Sequence, residues 1–311
     1  MNEIKNVIIC GLGAIGSIYA NKISNFDNKN LRILVDEKRL GKYSKNPIIY
    51  NEKQMNLNYI LPSATDFKAD LVIIATKNDG LYEACKNLTN FIYEDTIILS
   101  LLNGIESEEI IAKHFGREKI LNAYFIGHSA MRKGQNIIHD GVNTLYFGSI
   151  NNAQNQRVQI TENYLKKAGI NYCIPQDIIY SQWKKFALNA CANPLTAIFK
   201  FTFGEALSNK KFMELAVEVI KEVQQIAKAE GVKNSENLLK DTIDALHTML
   251  PDGKTSMLQD IEAGRKTEID IFAGRIIQLG EKHLIHTPYN RIIKEMIEVL
   301  EQHNLQTQSP N

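Results

Sequence analysis

The chain has 311 residues, with 36 Lys and Arg against 35 Asp and Glu and so a net charge of +1. That length is enough for two domains with cores of their own, and a hydrophobic share of 44% excludes a disordered chain. The near-zero charge offers phosphates no basic face, so no nucleic-acid partner is expected. No stretch reaches the ~20 apolar residues of a membrane-spanning helix, so no membrane partner is expected either.

In chain order, Glu3, Lys5 and Asn6 precede a short apolar run, which is not the order of a secretory signal, and a cytoplasmic location is expected. A strand over Asn6–Cys10 leads through a glycine-rich turn into a helix over Ala14–Ile23. A second strand follows at Leu31–Val35. Strands at Leu71–Ala75 and Thr96–Leu99 interleave with helices at Gly80–Leu88 and Ser107–Phe115, and Ile120–Ile126 adds another strand. Short apolar runs alternating with helices predict βαβ units around a buried parallel sheet. Asn136–His139 and Leu145–Gly148, on either side of Asp140-Gly141, read as a hairpin.

A helix over Gln154–Ala168 and a strand at Asn171–Ile174 close this half, with Pro175 as punctuation. Helices are then expected at Ile178–Ala192, Lys211–Glu230, Glu236–Met249, Glu268–Lys282 and Tyr289–Gln302, followed by an unstructured polar tail, QTQSPN. The four cysteines, at 10, 85, 173 and 191, form no C-x-x-C pair and read as packing residues, without disulfide or zinc. His283 and His286 lack the pattern of a metal site and read as a solvated helix end.

The first motif is Gly11-Leu12-Gly13-Ala14-Ile15-Gly16, directly after a strand and opening a helix. The first glycine permits the turn, the second lets backbone approach a pyrophosphate, and the third allows close helix–sheet packing. Asp36 lies twenty residues after Gly16, where an acidic group meets the adenosine ribose and favours NAD(H). Lys38 and Arg39 follow at once, placed either to hold a 2′-phosphate or to form a solvated loop. Lys77 and Asn103 stand after two further strands, where side chains point into a cofactor crevice. The fold class is therefore an α/β Rossmann-type N-terminal domain with a parallel sheet, residues 1–174, that binds a dinucleotide. An all-α C-terminal domain, residues 175–311, carries substrate and catalytic groups. Clefts between such domains favour small-molecule sites.

In the helical half, Lys185, Asn189 and Asn193 are spaced four and four, so they share one helix face. Pro194 should kink or end that helix. Ser256 and Asp260 fall on a short helix that Gly264 can terminate. Thr267 reads as the cap of the next helix, with Asp270 in the reciprocal position and Glu268 in the first turn. A lysine ammonium can stabilise and protonate a carbonyl oxygen that receives a hydride, while amides and a hydroxyl fix a polar substrate. Dimerisation through the helical half is a plausible assembly.

The stretches GLGAIG, LLNGIES, KKFALNACANPLTAI and SMLQDIEAGRKTEID together resemble the ketopantoate reductase (2-dehydropantoate 2-reductase) family along nearly the whole chain. The resemblance implies NADPH-dependent reduction of ketopantoate, a small 2-keto acid, in pantothenate biosynthesis. It implies Lys185 as general acid, with Asn189, Asn193 and Ser256 on substrate. Lys77, Asn103 and Glu268 serve the cofactor side, with Asn103 near both ligands, and Gly11, Gly13 and Gly16 match the pyrophosphate turn. Two departures stand out. Asp36 occupies the place of a basic residue and leaves NAD(H) open beside NADP(H). Phe203 stands ten residues after Asn193, where the well-studied type has a substrate-binding asparagine. The rival readings are a reductase of another branched 2-keto acid and a non-catalytic nicotinamide-binding redox sensor.

Overall fold

The computed structural model describes residues 3–127, 130–150 and 155–308. The chain divides into two compact units, Met1–Ile178 and Ile179–Asn311. The first unit begins β1 (Val7–Cys10), α1 (Ala14–Asp27), β2 (Leu31–Leu34), α2 (Glu37–Lys45), β3 (Ile49–Tyr50), β4 (Lys53–Gln54) and β5 (Tyr59–Ile60). It continues with β6 (Leu71–Ile74), α3 (Leu81–Leu88), β7 (Ile97–Ser100), α4 (Ser107–Phe115) and β8 (Ile120–Gly127). After these come β9 (Met131–Lys133), β10 (Asn136–Ile138), β11 (Asn143–Gly148), α5 (Gln156–Lys167) and β12 (Tyr172–Cys173). Gln154, at the start of the helix expected before Ala168, lies outside the described residues.

Eight strands form the main sheet in the order β12-β11-β8-β7-β6-β1-β2-β5. From β8 to β5 every pairing is parallel, and β11 joins β8 antiparallel. The period-2 alternation of strand side chains splits the core into two layers. Val7, Ile9, Leu31, Ile33, Leu71, Ile73, Ile97 and Leu99 face one layer, covered by Tyr19, Ala20 and Ile23 of α1 and by Val158, Tyr164 and Leu165 of α5. Ile8, Cys10, Leu34, Val72, Ile74 and Ile98 face the other, under Leu81, Ala84, Cys85 and Leu88 of α3 and Ile111 of α4. Both faces are buried, so the strands read as unbroken apolar runs.

The hairpin expected around Asp140-Gly141 does not form. β10 pairs with β9 and β3 in a separate four-stranded sheet, whereas β11 joins β8 and β12 in the main one. Asp140-Gly141 therefore carries the chain from one sheet to the other. Asn51 fixes this crossing, donating from Nδ2 to the His139 carbonyl at 2.8 Å and accepting the His139 N–H at 2.9 Å.

The second unit is helical: α6 (Ile178–Phe199), α7 (Phe203–Ser208), α8 (Lys210–Ala229), α9 (Leu238–His247), α10 (Ser256–Glu262), α11 (Arg275–His283) and α12 (Pro288–Gln308). α8 packs against α9, α11 and α12, burying Phe212, Ala216, Val219, Ile220, Val223 and Ile226 along one stripe. Glu222 on α8 is also buried, 5% exposed. Its carboxylate accepts the N–H groups of Tyr289 (2.8 Å) and Asn290 (3.0 Å) and the Asn290 amide (2.7 Å), satisfying donors at the start of α12.

Three expectations for this unit are corrected. α6 runs through Pro194 to Phe199, since packing of its largely buried second half outweighs the lost hydrogen bond to the Ala190 carbonyl. α12 extends through Gln308, into the tail expected to be unstructured, and residues 309–311 lie outside the described residues. His283 is not a bare solvated end, because its Nε2 bonds Glu230 on the neighbouring helix end. Cys10, Cys85 and Cys191 are buried and free, and burial pushes their thiols up to about 12, 11 and 12. Among the described residues no helix is long and apolar enough to cross a membrane, and no group of three His, Cys, Asp or Glu could hold a metal.

Candidate functional site

The glycine turn lies where the strand order reverses: β1 is flanked by β2 on one side and β6 on the other, the position at which open parallel sheets bind ligands. Gly11 has φ +103°, and a Cβ there would lie 2.6 Å from the Ala75 carbonyl carbon and oxygen. A Cβ on Gly16 would fall 1.9 Å from the Gly11 carbonyl oxygen. These two glycines therefore serve the packing of the turn against β6 and of α1 against the turn. Gly13 differs: its φ is −70°, and a Cβ would meet only the Ala75 oxygen, at 3.9 Å. Among the described residues nothing demands glycine there, whereas a ligand's close approach would.

Gly13 caps α1 without any side-chain bond, and the first turn, which includes Ala14, Ile15 and Gly16, carries no acidic group. The N–H groups at this helix start thus face no competing carboxylate of their own turn, as anion binding requires. Leu12 is buried, 5% exposed, and anchors the turn in the core. Lys77 is exposed just past β6, and Asn103 is half-buried past β7.

Asp36 lies two residues past β2 and caps α2, which replaces the loop considered for Lys38 and Arg39. Its Oδ1 accepts the Arg39 N–H at 2.6 Å and its Oδ2 pairs with the Arg39 guanidinium. Both oxygens are engaged, and Lys38 and Arg39 stand exposed on the first turn.

In the second unit, Lys185, Asn189 and Asn193 lie on one face of α6, the first two half-buried and Asn193 5% exposed. The side-chain amides of Asn189 and Asn193 make no hydrogen bond to another described residue, nor does the Ser256 hydroxyl. Ser256 is drawn to α6 by a bond that the sequence does not reveal. Thr196 and Thr255, 1% and 5% exposed, join through their hydroxyls at 2.7 Å. Thr255 accepts the Leu258 N–H as the cap of α10, so its proton goes to Thr196, whose own proton goes to the Ala192 carbonyl at 2.7 Å. This chain ties the Asn193 turn of α6 to the first residue of α10.

Phe203 joins the same neighbourhood. Its N–H donates to the Gly253 carbonyl at 3.0 Å, and its ring lies so near that a Cβ on Gly253 would touch it at 3.1 Å. Glu268 precedes a π-helical turn over Asp270–Gly274, a local widening of the kind found at functional sites. Thr267 caps as expected, its Oγ1 accepting the Ile269 N–H at 3.3 Å, but the reciprocal bond to Asp270 is replaced. The Thr267 N–H goes to Glu301 on α12 at 2.7 Å, and Asp270 pairs with Lys294 at 3.1 Å.

Residues 7–152 match the family model described as ketopantoate reductase PanE/ApbA, and residues 177–301 match its C-terminal counterpart. A 2-dehydropantoate 2-reductase of Streptococcus pyogenes serotype M6 is 27% identical over 300 residues, covering 95% of this chain and 97% of that one. The fold is that of a D-mandelate dehydrogenase solved with NADH and anilino(oxo)acetate, with TM-score 0.83 at 23% identity over 96% of this chain and 99% of that one. A dimeric ketopantoate reductase from Staphylococcus aureus has a TM-score of 0.75 at 21% identity, covering 96% of this chain and 99% of that one. With the nucleotide-type half and the helical half each matching the same family, the chain belongs to the ketopantoate reductases, a family of oxidoreductases.

Proposed function

We propose that the chain is a 2-dehydropantoate 2-reductase, converting ketopantoate to pantoate with NADPH. The observation that carries this reading is the set of polar groups on α6 and α10. Lys185, Asn189 and Asn193 share a face, Ser256 follows the Thr255 that is bonded to α6, and the two amides and the hydroxyl make no hydrogen bond to described residues. Asn189 is half-buried, Asn193 is 5% exposed and Ser256 is exposed, so these groups can turn from water to a polar ligand. Asn189, Asn193 and Ser256 are assigned to the carboxylate and hydroxyl of the substrate, and Asn103 to the boundary between substrate and cofactor.

Gly11–Gly16, Lys77 and Glu268 are assigned to the cofactor, which the bare Gly13 and the uncapped α1 fit. The bound reduced nicotinamide supplies the hydride that adds to C2 of the keto acid. Lys185 opposes the charge that develops on the carbonyl oxygen and transfers its Nζ proton there, giving the alcohol, and regains a proton from solvent. NADPH is preferred in this reading because Asp36 is already paired with Arg39. Arg39, exposed on the first turn of α2, is then the residue assigned to the 2′-phosphate.

A second reading rests on Phe203. Its ring against Gly253 gives the neighbourhood of Ser256 an apolar wall, which suits a 2-keto acid with a bulkier apolar group. A homodimer is the proposed assembly, in keeping with the dimeric Staphylococcus aureus relative.

The test is spectrophotometric, with ketopantoate and a panel of branched and aromatic 2-keto acids, each with NADPH and NADH. Rapid NADPH oxidation with ketopantoate supports the reading. Preference for a bulkier acid transfers it to the second, and no turnover with any acid refutes both.

A further inference from the structure

We infer that Arg132, far in sequence from the glycine turn, is a cofactor-binding residue that supplies the cation for the dinucleotide's pyrophosphate; this rests on the dinucleotide reading above. Arg132 lies half-buried on β9 of the small sheet, and its Nη1 donates to the carbonyl oxygen of Leu12, inside the turn itself. Its Nε donates to the Gly134 carbonyl at 2.9 Å and its Nη2 to the Gln135 side-chain oxygen at 3.2 Å. All three acceptors are neutral. Among the described residues no carboxylate pairs with this guanidinium, unlike Arg39 with Asp36 or Arg265 with Asp260.

An arginine held on three sides by neutral oxygens keeps its full charge and little of its freedom. That is the preorganised state in which a guanidinium binds phosphate. The platform is rigid as well. Ile48, Met55 and Ile137 of the small sheet and its flanks share one buried cluster with Leu12, and the two Asn51–His139 bonds lock its far end. The start of α1 presents N–H groups to a dianion but no cationic side chain, so Arg132 provides the missing countercharge. Since the pyrophosphate is common to both nucleotides, this contact adds affinity without choosing between them.

The experiment is fluorescence titration of the full chain and its Arg132→Gln and Arg132→Lys variants with NADH and NADPH, with thermal melting of each free protein. Arg132→Gln should weaken both nucleotides by the same factor, about 10- to 100-fold, at a melting temperature near wild type. Arg132→Lys, which keeps the charge, should fall between. The inference is overturned if Arg132→Gln binds both nucleotides like wild type, or if only one weakens. It is also overturned if both variants lose affinity equally while melting earlier, the mark of a brace for the turn. If wild-type protein binds neither nucleotide, the dinucleotide reading fails first and the assignment with it.

Discussion

Alanine at Gly13 and at Gly16 should have opposite effects on stability and parallel effects on affinity. At Gly16 the new methyl would lie 1.9 Å from the Gly11 carbonyl oxygen, so α1 must withdraw by more than ~1 Å to restore contact distance. Overpacking of this kind costs about 1–3 kcal/mol, or a fall of about 2–12 °C in Tm for a unit of this size. The N–H groups at the start of α1 withdraw too, and each charge-assisted bond lost costs about 1.5–3 kcal/mol, roughly 10–100-fold in Kd. At Gly13 the methyl meets only the Ala75 oxygen at 3.9 Å, in a conformation alanine accepts. There the free protein should gain about 0.4–1 kcal/mol from a less flexible unfolded chain, yet bind dinucleotide at least about tenfold more weakly because the methyl fills the approach of the phosphates. Melting without nucleotide, then titration with NADPH, separates the two. A Gly13→Ala protein with wild-type affinity, or a Gly16→Ala protein with wild-type Tm, would refute the reasoning.

Lys185→Ala should lower kcat by about 10²–10⁴-fold, the usual contribution of a general acid, while the Kd for NADPH stays put; steady-state kinetics beside titration checks both. Glu222→Ala removes the acceptor for three donors from Tyr289 and Asn290 and should cost about 3 kcal/mol or more. Glu222→Gln, which keeps one acceptor oxygen, should cost about half that; urea unfolding at constant m measures the difference. Burial alone would raise the Glu230 carboxyl, but bonds from Lys282 and His283 hold it below its ordinary 4.5. The stability it contributes is therefore complete above about pH 4.5 and lost as the pH falls through its lowered folded-state value. Glu230→Gln should flatten that part of an acid-unfolding curve, and an unchanged curve would show that the bonds add nothing.

Much of the sheet was legible because a strand buried on both faces must be apolar throughout, as VIIC, LVII and IILS are. The small sheet was not, because its strands are two or three residues long and β10 pairs with the distant β3. The Asp140-Gly141 turn was read with the wrong partner for the same reason: local turn chemistry does not say which strand lies beside the next one. Pro194 carried a real local penalty that tertiary packing overrode. The Thr267 hydroxyl caps locally, but the acceptor for its N–H is Glu301, 34 residues away, which no local pattern reveals. At the site, the glycine spacing and the four-residue register on α6 were visible, since helix geometry alone sets them. The Thr196–Thr255 bond and the reach of Arg132 were invisible, as each joins segments that only the folded chain brings together.

The bond between the two threonines also bears on how this chain can change over generations. It joins the Asn193 turn of α6 to the cap of α10 by a bond in which the exposed Pro251 and Asp252 take no part. Insertions or replacements there can reshape the surface beside α10 while the bond between the two helices is inherited intact. Under the proposed function, a lineage could explore new side groups on a keto acid by altering a surface loop, without rebuilding α6 and α10.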